Sequence, residues 1–461
     1  MTVASSVEEF AATLRGQLIQ ADDTDYEEAR HVYNAMIDKR PRCIVCCVDV
    51  ADVIACVNFA RKEGLLLSVR GGGHNVAGFA TNDGGLVIDL SRMKGIRVEP
   101  EKRTVRAQGG CTWGDVDHAT HAFGLATPGG VVSTTGIAGL SLGGGMGHLT
   151  RRFGLACDNL ISADVVTADG QFVVANEKEN ADLLWALRGG GGNFGVVTSF
   201  ELRLHPVSTV YAGPILWSID KAADAMKFWR DYITHAPDEV NAIFAFLVVP
   251  PEEPFPEHLH NKNVCAAVVC YAGPIEEAEG VLKPLKEFGP PLLDGTGPVP
   301  FPMLQTAFDA VSPPGLHHYW KGDFFAELSD DAISAHAKFG PGTHNIFSGS
   351  HIFPINGAAH RVESDETAWS YRDANFSHVV FAADSDPAVM PERTEWVREY
   401  WEALHPYSAG GAYVNFLMDE GEQRVAASYR DNYGRLAKIK SKYDPGNLFR
   451  VNQNIKPNGS G

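Results

Sequence analysis

Three consecutive glycines separate Arg70 from His74 in the stretch LLLSVRGGGHNVAGF, directly after an apolar run. Glycine allows positive φ angles and lets the backbone approach a ligand closely. Successive backbone N–H groups in such turns form a concave site for anions, usually phosphate. The stretch therefore predicts a phosphate-binding turn with a histidine beside it, whose use the stretch alone leaves open.

Glycine also clusters elsewhere in the first 200 residues. The chain has 47 glycines, and most of the dense clusters lie at 71–73, 84–85, 109–110, 129–130, 143–147 and 189–192. One cluster would say little, because a glycine turn is a common structural feature. Several clusters in a row indicate a long ligand that many loops contact.

The most obvious cofactor motif is misplaced. GGGNFG at 190–195 matches G-x-G-x-x-G, but a helical run, LLWALR, precedes it and a strand-like run, VVTSFELRL, follows it. A dinucleotide fingerprint needs the opposite order. The chain also lacks a Walker A lysine, an H-E-x-x-H pair, paired C-x-x-C motifs and G-x-S-x-G. The absence of these motifs favours a large redox cofactor held by backbone amides over a metal site or a hydrolase site.

Short elements must position these turns. Runs rich in β-branched residues predict strands: GLVIDL (85–90), RTVRAQGG (103–110), SADVVTADGQFVVA (162–175) and GVVTSFELRL (195–204). WGDVDHATHAFG and NADLLWALR predict short helices, and Val7, Phe10, Leu14 and Leu18 predict an N-terminal surface helix. A second α+β unit begins near residue 206, and a helix through Tyr433, Leu436 and Ile439 ends at DPGN.

Composition excludes several classes of partner. With 39 basic and 57 acidic residues the chain carries a formal charge of −18, which argues against nucleic acid and anionic lipid. No long apolar run predicts a membrane span. Without a recognisable secretory signal, we expect a cytoplasmic protein with reduced thiols. CIVCC at 43–47 therefore reads as a buried strand rather than a redox pair.

The motif set resembles one family of flavoproteins. SVRGGGHNVAG, GLVIDLSRMKGIRV, GLATPGGVVSTTGIAGLSLGGGMGHLTRRFGLACDNLISADVVTADG, GGGGNFGVVTSFELRLHP and YDPGNLFRVNQNIKP occur in this order. Together they resemble the berberine-bridge-enzyme-like proteins of the vanillyl-alcohol-oxidase superfamily. The resemblance covers essentially the whole chain and is strongest over 65–205 and 413–457.

The resemblance implies an α+β fold with a two-part FAD-binding domain of the PCMH (vanillyl-alcohol-oxidase-like) type. Residues 1–205 would form its first part and residues 413–461 its second. Residues 206–412 would form an inserted α+β substrate domain, an antiparallel sheet backed by helices. The flavin ring would lie where the parts meet.

By the same resemblance, His74 forms a covalent bond to the 8α carbon of FAD. Such a link withdraws electron density and raises the flavin potential, and a neutral imidazole is a nucleophile available near neutral pH. Many relatives carry a second, cysteinyl link four residues before the glycine of GIAG. Here that position is Val132, while Cys111 and Cys157 belong to other motifs. The expectation is a single link, through His74.

The other FAD contacts follow from matching motifs. By the resemblance, Gly71, Gly72 and Gly73, with Asn75, approach the FAD pyrophosphate, and Pro128, Gly129 and Gly130 pass near the flavin ring. A second glycine loop contains Gly139, Gly144, Gly145 and Gly147, with His148 adjacent to it. Val197 lies near the adenine, Asn452 and Asn454 close over the flavin from the C-terminal segment, and Arg70 and Gly136 are also assigned to cofactor binding.

The substrate's proton needs a base when a hydride leaves. In this family the base often lies in a Y-x-N motif, here Tyr413 and Asn415 in YVNF. A tyrosine, with an ordinary pKa of about 10, would need a cation or hydrogen-bond donors to lower that pKa. A carboxylate among Asp419, Glu420 and Glu422 is the alternative. In HHYWKGDFF (317–325), strand alternation places His318, Trp320 and Gly322 on one face and Tyr319 and Lys321 on the other. One of the two faces could floor a substrate pocket, and packing is the alternative explanation for either.

The resemblance implies an FAD-dependent oxidoreductase that takes a hydride from a small alcohol, sugar, amine or secondary metabolite to flavin N5. Thr135, a small β-branched residue before GIAG, favours an oxidase that returns electrons to O2 and forms H2O2. A dehydrogenase with another acceptor, or a non-catalytic flavin-binding protein, stays an alternative. No nucleic acid, membrane or metal partner is expected, and monomer and homo-oligomer are both open.

Overall fold

The first sheet carries the glycine turn at its edge. The structure, a computed structural model, describes residues 3–459. The sheet contains β1 (Gln17–Gln20), β2 (Cys43–Cys46), β3 (Leu67–Arg70) and β4 (Leu86–Asp89), in the order β1-β2-β4-β3. β2, β4 and β3 are parallel. The turn that begins at residue 71 therefore leaves the carboxyl end of a parallel strand, a usual place for a ligand.

Three helices accompany this sheet: α1 (Val3–Ala11), α2 (Tyr26–Arg30) and α3 (Val50–Glu63). α3 makes the crossover from β2 to β3. Asp49 caps its N-terminus by accepting a hydrogen bond from the Asp52 N–H, and Gly64 ends it at φ 64°, as glycine commonly does. Its buried face packs on the sheet through Val53, Cys56, Val57 and Ala60.

A second, fully antiparallel sheet completes the N-terminal part. Its strands are β5 (Ile96–Glu99), β6 (Thr104–Gln108), β8 (Leu160–Val166), β9 (Phe172–Ala175) and β10 (Val196–Arg203), in the order β5-β6-β10-β8-β9. A small pair, β7 (Leu125–Ala126) with β11 (His205–Pro206), lies apart from it. The helices between these strands are α4 (Trp113–His121), α5 (Ile137–Leu142), α6 (Thr150–Phe153) and α7 (Ala181–Leu187).

The third sheet has eight antiparallel strands: β12 (Thr209–Ser218), β13 (Val240–Val248), β14 (Asn263–Tyr271), β15 (Leu293–Asp294), β16 (Gly297–Pro300), β17 (His317–Phe325), β18 (Gly349–Pro354) and β19 (Phe376–Asp384). The accompanying helices are α8 (Ala222–His235), α9 (Ala278–Glu287), α10 (Phe301–Gln305), α11 (Asp330–Phe339) and α12 (Met390–Leu404). α8, α9, α11 and α12 bury one face of the sheet in a single apolar core. The other face turns toward the N-terminal part.

The C-terminal segment returns to the glycine loop at 189–195. It contains α13 (Glu422–Tyr429) and α14 (Asn432–Tyr443). The fully buried Lys440 donates hydrogen bonds to the Asn193 carbonyl at 2.7 Å, the Asp444 carboxylate at 2.7 Å and the Phe449 carbonyl at 2.8 Å. These bonds satisfy a charge that burial alone would disfavour, and they attach residues 444–453 to the N-terminal part.

Most of the predicted elements are present, and the α+β class is confirmed. GGGNFG lies between α7 and β10, so the helix-then-strand order that argued against a Rossmann site is confirmed. CIVC forms the buried strand β2. One prediction is wrong, because α1 ends at Ala11 and Leu18 lies in β1. All cysteines in the described part are unpaired and buried.

No helix within the described residues is long and apolar enough to cross a membrane.

Buried histidines make this fold sensitive to acid. Burial lowers the pKa of His148 and His351 to about 4 and that of His336 to about 3. In the unfolded chain each imidazole takes up a proton below about pH 6.5. The unfolded state therefore binds more protons between pH 6.5 and about 4, and stability falls as pH falls through that window. Each histidine contributes up to about 1.4 kcal/mol per pH unit.

Asp117 has the opposite effect on stability, because burial raises its pKa to about 7. The free energy that it contributes to the folded state decreases as pH rises. Its effect on the pH dependence of the free energy of unfolding cancels that of about one histidine. We expect the free energy of unfolding in urea to fall by more than about 1.4 kcal/mol per unit from pH 6.5 to 4.5. A flat profile over this range would contradict the burial of neutral imidazoles.

Candidate active site

A cavity of about 290 Å³ opens where the three sheets and the C-terminal segment meet. Its wall includes the turn at 71–75, the segment 130–139 and the segment 449–453. β17 and β18 contribute the wall on the side of the third sheet. Elements far apart in the chain therefore converge on one space.

Two glycines of this wall allow a crossing of backbone segments. A Cβ on Gly72 would lie 2.4 Å from the Gly136 nitrogen, and one on Gly136 would lie 2.3 Å from the Gly72 nitrogen. Gly73 adopts φ 68°, where other residues are strained. The N–H groups of residues 71–74 donate no hydrogen bond within residues 3–459. A run of unpaired N–H groups beside a cavity suits a phosphate.

The imidazole of His74 faces this cavity and is held by stacking. Its ring lies 3.8 Å from the Tyr33 ring, and Tyr33 lies 4.6 Å from the ring of His318. His74 Nε2 is buried without a hydrogen-bond partner. Burial lowers the pKa of His74 to about 4, so its imidazole is neutral and nucleophilic at neutral pH.

Tyr413 lies on the same wall with its hydroxyl held by two donors. Its Oη accepts from the Gly145 N–H at 2.9 Å and from Asn415 Nδ2 at 2.7 Å. Burial raises the pKa of Tyr413, and these two hydrogen bonds act to lower it. Because the oxygen already accepts two bonds, one further hydrogen-bonding position, occupied by the proton only in the neutral form, is left to contact a ligand.

The acidic cluster that follows Tyr413 does not reach the cavity wall. Glu420 pairs with Lys321 at 2.6 Å, Glu422 pairs with Lys456, and Asp419 is exposed. Within residues 3–459, no Asp, Glu, Lys or Arg side chain contributes to the wall. The arrangement favours Tyr413 over a carboxylate as the proton-handling group.

The structure brings many of the sequence-predicted residues to the wall. These are Gly71, Gly72, Gly73, His74, Asn75, Gly130, Thr135, Gly136, Gly139, Val197, Tyr413, Asn415 and Asn452. Val132, where relatives would have the second link, also lies on the wall and offers no nucleophile.

The remaining predicted contacts do not form part of the wall: Arg70, Pro128, Gly129, Gly144, Gly145, Gly147, His148 and Asn454. For most of them packing is the reason. Arg70 pairs with the buried Asp89 at 2.8 Å. A Cβ on Gly144 would lie 2.4 Å from the Trp369 ring, and one on Gly147 2.5 Å from the Gly129 carbonyl oxygen. In the second glycine loop, Gly144 and Gly147 therefore serve close packing, Gly139 lies on the wall, and the Gly145 N–H acts on the site through Tyr413.

The sequence left three neighbours of the site unassigned. Tyr33 stacks on His74, while Phe353 and Phe416 line the cavity. Phe416 ends the short turn that begins after Tyr413. It directly follows Asn415 of the Y-x-N motif in the sequence, and this adjacency indicates a place near the site. Nothing near Tyr33 in the sequence indicates its contact.

Comparison with known proteins bears directly on this site. Residues 41–176 match the family described as FAD binding domain, and residues 412–456 match the berberine and berberine-like family. An FAD-linked oxidoreductase of Dictyostelium discoideum is 31% identical over 463 residues, covering 98% of this chain and 97% of that protein. The chain belongs to the berberine-like FAD-linked oxidoreductases.

Other members share both sequence and fold with this oxidoreductase. (R)-6-hydroxynicotine oxidase of Paenarthrobacter nicotinovorans is 30% identical over 466 residues, covering 97% of this chain and 98% of that protein. The crystal structure of 6-hydroxy-D-nicotine oxidase from Arthrobacter nicotinovorans superposes with a TM-score of 0.83 at 27% identity, covering 96% and 98% of the two chains. The PCMH-type fold is confirmed.

The cavity of this oxidoreductase fits FAD. The free N–H groups of the turn at 71–74 can bind a diphosphate without a cationic side chain. Asn452 Oδ1 and His74 Nε2 are buried atoms without a partner, as expected where a ligand supplies the partner. The residues that would hold FAD therefore come from two parts of the chain that are far apart in sequence.

Proposed function

We propose that this protein is an FAD-dependent oxidase whose flavin is bound covalently through the His74 imidazole. The observation that carries the proposal is the neutral imidazole of His74, fixed by Tyr33 beside a row of free N–H groups. When bound, FAD supplies an acceptor for the hydride at N5 and a route for electrons to O2, which gives H2O2.

The protein's own residues account for binding and proton handling. The N–H groups of residues 71–74 would hold the diphosphate, and Asn452 would close the site from the C-terminal segment. Tyr413 would hold the substrate hydroxyl and, in its deprotonated form, take up the substrate's proton as the substrate is oxidised. The Gly145 N–H and the Asn415 amide donate to Tyr413 Oη and stabilise the negative charge that it carries before this transfer.

O2 is the proposed electron acceptor. Thr135, a small β-branched residue, lies on the cavity wall, and a relative of 30% identity is named an oxidase. The test is to supply a turned-over substrate and measure O2 consumption and H2O2 together. One H2O2 per product supports the oxidase, whereas reduction of a dye without O2 uptake would favour a dehydrogenase.

Loss of the Tyr33 ring should slow covalent attachment. Stacking of this kind contributes about 0.5–1.5 kcal/mol, so we expect Tyr33→Ala to attach FAD roughly 3- to 10-fold more slowly when apoprotein is incubated with FAD. Tyr33→Phe keeps the ring and should attach at the wild-type rate. The readout is the flavin that stays with denatured protein over time. Equal rates for both variants would remove Tyr33 from this role.

A further inference from the structure

The part of the cavity beneath the third sheet is enclosed by aromatic rings. Trp320 on β17 and Phe353 on β18 line it from the sheet. Phe416 faces both, with ring centroids 5.9 Å from Trp320 and 5.7 Å from Phe353. Tyr413 lies 4.8 Å from Phe416. We name these four residues the aromatic box.

The surroundings of the aromatic box are also apolar. Phe381 lies behind Trp320, with ring centroids 5.8 Å apart. Val131, Val132 and Met146 belong to the same apolar cluster and contribute to the cavity wall. These contacts leave flat, apolar surfaces on several sides, the environment that favours a planar apolar ligand.

Hydrogen-bonding groups are concentrated at one corner of the aromatic box. Tyr413 Oη accepts hydrogen bonds from Asn415 Nδ2 and from the Gly145 N–H, which leaves one further hydrogen-bonding position for a ligand. Trp320 Nε1 is directed to His318 Nδ1 at 3.4 Å, so it is occupied. The box therefore offers a good partner to one hydroxyl group and few partners to others.

Charged groups near the box point away from it. Strand alternation places Lys321 and Asp323 on the opposite face of β17 from Trp320, where they pair with Glu420 and Arg424. On the box side of the sheet, His318 and His351 are neutral, because burial lowers the pKa of His318 to about 3 and that of His351 to about 4. A charged substrate would find no counter-ion here, and its desolvation would go uncompensated.

We propose that the substrate is an uncharged, flat and largely apolar molecule whose single reacting alcohol is presented to Tyr413. This inference rests on the proposed oxidase function. The alcohol R–CH2OH loses two hydrogens to become R–CHO, and O2 takes up both electrons and both protons as H2O2. A sugar fits poorly, since each further hydroxyl buried without a partner weakens binding by roughly tenfold or more.

Binding without turnover tests the substrate class. The probes are 2-naphthylmethanol, 4-(hydroxymethyl)benzoate, a 4-(trimethylammonio)benzyl alcohol salt and cellobiose, titrated anaerobically into holoenzyme whose flavin has first been reduced with dithionite, and followed by tryptophan fluorescence. We expect saturable binding of 2-naphthylmethanol at least tenfold tighter than of the two charged compounds, and no saturation by cellobiose. Tighter binding of a charged probe or of the sugar, or no saturation by 2-naphthylmethanol, would overturn the inference.

Variants of adjacent residues supply the matched control. Trp320→Ala should weaken 2-naphthylmethanol binding by about ten- to a hundredfold, and Trp320→Phe should recover most of it. Tyr319→Ala, next to it on the opposite face of β17, should bind like wild type; equal losses for Trp320→Ala and Tyr319→Ala would refute a role for the box. Flavin content is measured on each sample, so loss of the cofactor reports failure of the proposed function separately.

Discussion

The His74→Ala variant is expected to fold and to bind FAD reversibly, but to lose covalent flavin completely. Alanine offers no nucleophile, and within residues 3–459 no cysteine lies on the cavity wall. Val132 stands where a second link would form, so nothing replaces the histidine. The free N–H groups of residues 71–74 are unchanged, which is why reversible binding should survive. Flavin absorbance of the denatured, desalted protein measures the outcome.

His148→Gln is the matched control for this variant. His148 is also a buried imidazole with unpaired ring nitrogens and a lowered pKa, but it does not contribute to the cavity wall. It should keep a full complement of covalent flavin. Covalent flavin in His74→Ala, or its loss in His148→Gln alone, would place the link elsewhere.

The second large effect is expected for Tyr413→Phe. Removing the hydroxyl removes the group that takes the substrate proton, and general base catalysis contributes about 10²- to 10⁴-fold to a rate. We expect the rate of anaerobic flavin reduction by substrate to fall by that factor, with substrate affinity changed only a few-fold. The phenylalanine ring preserves the contacts with Phe416 and Trp369.

Tyr371→Phe controls for the loss of a buried hydroxyl. Tyr371 is buried, and its hydroxyl donates to the Ala427 carbonyl at 2.9 Å, but it lies off the cavity wall. Its rate of flavin reduction should match wild type even if its stability falls by about 1–3 kcal/mol. A similar rate loss in both variants would mean that Tyr413 acts through folding rather than through proton transfer.

The sequence predicted features that depend on local backbone geometry. Gly72 and Gly73 occur where no side chain fits or where φ is positive, and such demands are visible in residue type. The strands β2 and β10 follow from runs of apolar, β-branched residues. His74 could be singled out because it directly follows the glycines.

Glycine type alone does not reveal what occupies the freed space. Gly72 leaves room for a crossing backbone, while Gly144 leaves room for the ring of Trp369, which is more than 200 residues away in the chain. The sequence motif alone does not distinguish these two glycines. For this reason residue type does not separate the glycines of the second loop that lie off the cavity wall, such as Gly144, from Gly139, which lies on it.

Contacts between distant elements were beyond sequence reasoning. Tyr33 reaches His74 from a segment with no distinctive pattern, and the aromatic box joins β17, β18 and the turn after Tyr413. Leu18 followed the helical spacing of Val7 but pairs with Val45 in the first sheet. In each case tertiary packing decided the outcome, as it often overrides local propensity.

The most direct test of the proposed covalent flavoenzyme is the intact mass and absorption spectrum of the purified wild-type protein after denaturation and desalting. The account predicts a polypeptide heavier by one FAD that stays yellow, with no flavin in the filtrate. A polypeptide of unmodified mass, with its flavin released into the filtrate or with no flavin at all, would contradict it.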